Sequence, residues 1–142
     1  LQNDLLNELE EIVRLKIDEY YEEYKSRSSV FMSRWPASKI MKSWYVRLIQ
    51  GGYQDAHMHS LGWLSGVVYL STIEHPANGE GSIEFGLHGY DYKILNKNIP
   101  KEQYQPSNGD LVLFPSSLFH KTIPVRQNCD RSVIAFDLMP AS

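Results

Sequence analysis

A mainly β domain, a sandwich or barrel of short strands behind one N-terminal helix, is what this sequence predicts. Three observations carry that expectation. Six or so short runs rich in aromatic and β-branched residues recur after Ser43, separated by Gly, Pro and Asn turn signals. The first 25 residues instead carry apolar residues at helical spacing. No internal repeat or low-complexity segment suggests a solenoid or a linker.

Residues 4–25 read as an amphipathic helix, because Leu6, Leu9, Val13, Ile17, Tyr20 and Tyr24 recur three or four apart. Asn3 or Asp4 can cap its start, and its Glu-rich face reads as a solvated surface. Such a helix commonly packs on a sheet. Ser28 to Lys42 reads as a short helical or irregular stretch broken at Trp35-Pro36, so 1–42 is helical support and 43–142 the β core of one domain. The strand runs are Trp44–Ile49, Leu64–Leu70, Ser82–Phe85, Asp110–Pro115 and Arg131–Phe136, with the histidine pair at 57 and 59 between the first two. Residues 86–108 read as mostly loop. A stretch that long seldom goes unused in a compact domain, so it is either a lid over substrate or merely mobile.

A chain of 142 residues with 42% hydrophobic content can bury one sizeable core but hardly two. Its net charge of -3 argues against a nucleic-acid or membrane partner, both of which call for basic excess. No apolar run approaches the roughly 20 residues that span a bilayer. Cys129 is alone, so no internal disulfide forms, which fits a cytoplasmic location. No signal peptide is visible. The chain starts with Leu rather than Met, consistent with a fragment of a longer protein.

The chemistry sits in His57-Met58-His59, followed downstream by His120 and Arg131. In a strand, side chains two apart share a face, so His57 and His59 can grip one object. Imidazole is the commonest protein ligand for iron and its neighbours, and a third His would complete one face of a metal site. Arg131 can hold the carboxylate of an acidic co-substrate, because its planar fork matches carboxylate geometry. Each candidate lies at the edge of a strand-like run, where barrels build their sites. The order of these parts reads as an iron site with an anchored 2-oxo acid.

Gly51–Leu70 and Gly109–Pro140, together about 50 residues, resemble the iron(II)- and 2-oxoglutarate-dependent oxygenases. More narrowly, they resemble the oxygenase domains often found attached to tetratricopeptide repeats. His57-Met58-His59 with Gly62-Trp63-Leu64-Ser65 resembles the group's first motif. Leu113-Phe114-Pro115-Ser116, His120, Arg131 and Ala135-Phe136-Asp137 resemble the second. The resemblance implies a double-stranded β-helix, a cupin-like jelly roll with iron at one open end. It implies His57 and His120 as metal ligands and Arg131 as the holder of the far carboxylate of 2-oxoglutarate; His59 completes the candidate metal set by its place beside His57. Only three protein ligands are wanted, since the oxo acid and dioxygen occupy the other positions on iron(II). The implied activity is hydroxylation of a small-molecule or peptide substrate, with release of succinate and CO2.

Two positions depart from the superfamily. His59 stands where most members have Asp or Glu, so the third ligand is His59 or a carboxylate: Asp55, which shares strand parity with the pair, or the more distant Glu84 or Asp137. Val133 stands where many members have a hydroxyl that helps bind the co-substrate. Tyr45 or Tyr69 is the candidate replacement, if any group serves. Trp63 is a candidate entrance residue or core. Lys121 and Thr122 are ligand neighbours or plain loop, and His75 and His88 are expected to be solvent-exposed. Two other readings stay open: a cupin-like metalloenzyme that does not use 2-oxoglutarate, and a non-catalytic binding module.

Overall fold

The computed structural model describes residues 2–141. It divides into two compact units, residues 1–35 and 36–142. The first holds α1 (Gln2–Tyr24) and the short α2 (Val30–Ser33). Helix α1 is already formed at Gln2, so Asp4 lies in its first turn rather than at the cap; the Asn3 side chain lies outside the description. Val13 and Ile17 are the buried members of the predicted stripe, whereas Leu6 is exposed. Trp35 gathers the rings of Tyr20, Tyr21 and Phe31 around it. Ser29 caps α2, its hydroxyl accepting from the Met32 N–H at 3.2 Å. No helix of the described residues is long and apolar enough to cross a membrane.

The second unit is built from eight strands. They are β1 (Lys39–Leu48), β2 (Gln54–His57), β3 (Leu64–Ser71), β4 (Ile83–Gly86), β5 (Lys101–Tyr104), β6 (Leu111–Pro115), β7 (Phe119–Thr122) and β8 (Arg131–Pro140). They form two antiparallel four-stranded sheets, ordered β1-β8-β3-β6 and β2-β7-β4-β5. Apart from the β4–β5 pair, sequence neighbours thus alternate between sheets, which is the double-stranded β-helix that the resemblance implied. The inner faces meet in a core of Val67, Tyr69, Ile83, Phe114 and Val133, extended by Val46, Phe85, Val112 and Leu118.

Three sequence expectations shift. Strand β1 begins at Lys39, not near 43, because its ladder with β8 runs from Lys39↔Pro140 to Leu48↔Arg131 and the partner's length sets its own. The 86–108 stretch contains β5, whose Lys101-Glu102-Gln103-Tyr104 is exposed throughout. Only pairing with β4 makes it a strand, so it left no hydrophobic trace. The remaining loop, 87–100, is tied down. The Tyr90 hydroxyl donates to Met58 O at 3.2 Å, and Tyr90 and Tyr92 set their rings edge-on to Phe119.

Gly66 marks the tightest point of the first sheet. A Cβ there would overlap the Phe136 ring on the neighbouring strand. Gly66→Ala is therefore expected to cost about 1–3 kcal/mol through overpacking. A shift of the urea midpoint at unchanged slope is the measurement.

Candidate metal and co-substrate site

His57 ends β2 and faces His120 across the β2–β7 ladder, so the pair shares the inner face of the second sheet. His59 lies beyond the end of β2, in the turn toward β3, where its N–H donates to Ser116 O at 2.9 Å. The three rings converge, with centroids 4.4 Å (His57–His120), 5.1 Å (His59–His120) and 5.3 Å (His57–His59) apart. One ligand atom from each lies within 4.8 Å of the others. Small side-chain rotations would bring all three to the roughly 2.0–2.1 Å typical of an imidazole nitrogen on a divalent metal.

Every ring has its Nδ1 engaged. His57 Nδ1–H donates to Asp55 O at 2.6 Å, and His120 Nδ1–H to Leu118 O at 3.0 Å. His59 Nδ1–H donates to Asp137 Oδ1 at 2.6 Å. An imidazole that donates from Nδ1 presents an unprotonated Nε2, which is the metal-ligating tautomer. Burial drives the His120 pKa down to about 4, with the His57 and His59 rings pushing the same way, so this imidazole is neutral at neutral pH.

None of the three carboxylates weighed as a third ligand belongs to this cluster. A register irregularity between Gln54 and His57 breaks the parity that would have aligned Asp55 with His57, and Asp55 is exposed. Glu84 is ion-paired with Lys121 at 3.2 Å and Lys101 at 3.3 Å. It neighbours Phe85, the residue paired with His120, so it points to the outer face. Asp137 stands behind His59 instead.

Arg131, at the start of β8, is 3% exposed, and its Nε donates to Gly81 O at 2.8 Å. It lines the same cavity as the three histidines, a space of about 80 Å³ between the sheets that Ser65, Thr122 and Val133 also bound. The guanidinium sits over the Tyr69 ring, 5.1 Å from its centroid. The Tyr69 hydroxyl is buried and has no hydrogen-bond partner among the described residues. A buried cation on the cavity wall suits an incoming carboxylate, with Tyr69 behind the guanidinium and not itself among the lining residues. Tyr45, the other hydroxyl considered, is 60% exposed; Trp44 and Val46 on either side line the cavity, so alternation turns Tyr45 outward.

The other candidates fall outside. Trp63 is not among the residues lining the cavity, and its backbone instead joins Leu138 and Ser116. Lys121 faces outward to Glu84, and His75 is exposed as expected. His88 is half-buried rather than exposed, its ring meeting Tyr92 O. A larger recess of about 450 Å³ lies between loop 87–100 and the outer face of the second sheet. It touches the histidine set only at His120 and holds neither Arg131 nor the 57/59 pair, so the smaller cavity is the candidate site.

Two residues that support the site escaped sequence reading. Ser65, 1% exposed inside an apolar run, donates to Asp137 Oδ1 at 2.6 Å; a polar residue in a buried strand is the signal that could have found it. Glu80, 1% exposed between Gly79 and Gly81, left no such signal. Its carboxylate accepts from the N–H groups of Arg126 (2.6 Å), Gln127 (3.1 Å) and Ala77 (3.2 Å) and from the Gln127 amide (2.5 Å). It thereby joins two loops and fixes the segment whose Gly81 carbonyl holds Arg131. The Arg126 N–H leads in lowering its pKa from 4.5 to about 2; burial opposes, and the Ala77 and Gln127 donors add to the fall. The folded-state value lies below the unfolded one. Its stabilisation is therefore fully present above about pH 4.5 and is lost as pH falls through about 2. Glu80→Gln turns one acceptor oxygen into a donor facing two N–H groups. Denaturation titrations should show lower stability near neutral pH and a flatter acid limb than the native protein.

A jelly roll carrying a three-histidine cluster and a buried arginine in one cavity presents a candidate metal and carboxylate site. Residues 42–137 match the family described as "Putative 2OG-Fe(II) oxygenase", and the chain belongs to this family of 2-oxoglutarate- and iron(II)-dependent oxygenases. Its fold is similar to a prolyl-4-hydroxylase from Pseudomonas putida, with a TM-score of 0.57 and 17% identity, covering 71% of this chain and 53% of that one. It is also similar to a viral collagen prolyl hydroxylase of Paramecium bursaria Chlorella virus-1 in its 2-oxoglutarate complex. There the TM-score is 0.59 and the identity 14%, with 92% of this chain and 72% of that one covered. HygX of Streptomyces hygroscopicus, with nickel and 2-oxoglutarate bound, gives 0.56 and 16%, over 72% and 58% of the two chains. The chain spans about half the length of the prolyl-4-hydroxylase. Comparison with curated proteins gives no match. Iron(II) and 2-oxoglutarate are the cofactor and co-substrate that the family implies, and the donor set described above fits both.

Proposed function

We propose that this chain is the catalytic domain of an iron(II)- and 2-oxoglutarate-dependent hydroxylase acting on a small-molecule or peptide substrate. The observation that carries the reading is the convergence of three Nδ1-anchored imidazoles and a buried arginine on one cavity. His57, His59 and His120 would hold the metal through Nε2. Arg131 would pair with the far carboxylate of 2-oxoglutarate, and Tyr69 would back the guanidinium with its ring. When bound, the metal and the oxo acid supply oxidative decarboxylation to succinate and CO2, coupled to C–H hydroxylation. The apolar wall of Val46, Val67, Phe114 and Ala135 limits bulk water around the metal face. Trp44, 38% exposed and with its ring 5.6 Å from His59, offers an approaching substrate a surface to stack on. The unpaired Cys129 and the need to keep iron ferrous suit a reducing cytoplasm.

Succinate release from 2-oxoglutarate by the iron-loaded chain is the test, run with and without candidate substrates. Release that depends on iron and is abolished in Arg131→Ala supports the reading. Metal binding without any consumption of 2-oxoglutarate would overturn it in favour of a binding module, and turnover of a substrate without 2-oxoglutarate in favour of a cupin-like enzyme.

A further inference from the structure

We infer that Asp137 supplies, through His59, the negative charge of this metal site. The inference rests on the metal-site reading above and extends it to a residue outside the ligand set. Three imidazole ligands bring no negative charge to a divalent ion, in a cavity whose other charged lining group, Arg131, is also positive. That is an unfavourable arrangement unless an anion stands close by. Asp137 is that anion. It sits on β8 beside Ser65 of β3, with which it pairs in register, and its side chain is 15% exposed.

The local geometry is directed. Asp137 Oδ1 accepts from His59 Nδ1–H at 2.6 Å and from Ser65 Oγ at 2.6 Å. Ser65 Oγ in turn lies 2.8 Å from Ser116 Oγ, and both serines are buried. Ser116 O also accepts the His59 backbone N–H, so ring and main chain are held by one cluster. His57 and His120 differ: each donates from Nδ1 to a neutral backbone carbonyl. Among the three, His59 alone is backed by a carboxylate. A carboxylate on the far nitrogen raises the basicity of the ligating one and fixes the ring's orientation. His59 therefore brings to the metal both a nitrogen and a share of the Asp137 charge. Asp137 is a positioning residue, since it touches neither metal nor co-substrate.

The experiment uses Co(II) as probe, titrated calorimetrically into the whole chain and followed by its visible absorption. Asp137→Asn keeps an oxygen for His59 Nδ1–H but removes the charge. It should weaken Co(II) binding by about 10- to 100-fold, shift the Co(II) bands, and leave the circular dichroism of the metal-free protein unchanged. Co(II) affinity and bands equal to those of the native chain would overturn the proposal while leaving the histidine site standing. If the native chain binds no Co(II), or if His57→Ala binds it as well as native, the metal-site reading itself fails. Should Asp137→Asn not fold, nitrogen NMR of the native, metal-free chain decides: a His59 ring protonated at Nδ1 supports the proposal, and one protonated at Nε2 overturns it.

Discussion

Replacing His57, His59 or His120 with Ala should each remove most of the bound iron(II). Altering a residue that merely orients a ligand typically weakens metal binding by about 10- to 100-fold, and losing the ligand itself should exceed that. His59→Ala is the most informative of the three, because position 59 is where the wider superfamily places an acid. Asp55 is exposed within the register irregularity and Glu84 is held by two lysines on the outer face, so the carboxylate nearest to a vacated position 59 is Asp137, which Ser65 also holds. Metal analysis after anaerobic loading and dialysis is the measurement, with circular dichroism as the folding control. Full iron occupancy in His59→Ala would move the third ligand elsewhere.

Arg131→Met should nearly abolish 2-oxoglutarate binding while sparing the metal. Truncating the charged partner of a buried carboxylate costs about 2–5 kcal/mol, or roughly 30- to several-thousand-fold in affinity. Met retains an apolar stem among Ile83 and Val133, so the cavity wall is largely kept. Among the described residues no acidic side chain pairs with Arg131; its contacts are the Gly81 carbonyl and the Tyr69 ring. Removing it should therefore change unliganded stability little, since relief of a buried cation offsets the lost bond to Gly81. Calorimetric titration of 2-oxoglutarate at saturating metal reads the first effect and thermal melting without ligand the second. Unchanged affinity would end the assignment of Arg131 to the co-substrate.

Much of the jelly roll was legible because its central strands are buried on repeating apolar patterns. Leu64–Leu70 and Asp110–Pro115 read as strands, and Leu64–Ser71 and Leu111–Pro115 are strands. Strand β7 was missed, since Phe119-His120-Lys121-Thr122 is too short and polar to announce itself. The edge strand β5 was missed for a related reason: its four exposed residues are ordered by a ladder to β4, and ladders leave no local pattern.

The four candidate chemical residues, His57, His59, His120 and Arg131, could be named from residue type and order alone, because metal ligation and carboxylate pairing demand particular side chains. Their roles relative to one another could not. Asp137 was weighed as a ligand and stands behind the candidate ligand His59, since the pairing Ser65↔Asp137 is a property of the β3–β8 register. Tyr45 and Tyr69 were equal as candidates until strand alternation set one outward and the other in the core, against Arg131. Glu80 gave no sign in sequence, because its partners are mostly backbone N–H groups, up to 47 positions away. Residue chemistry is local and survives in a linear string. Distance, burial and hydrogen-bond direction arise only when non-local strands pair, and these determined which oxygen faces which nitrogen in this site.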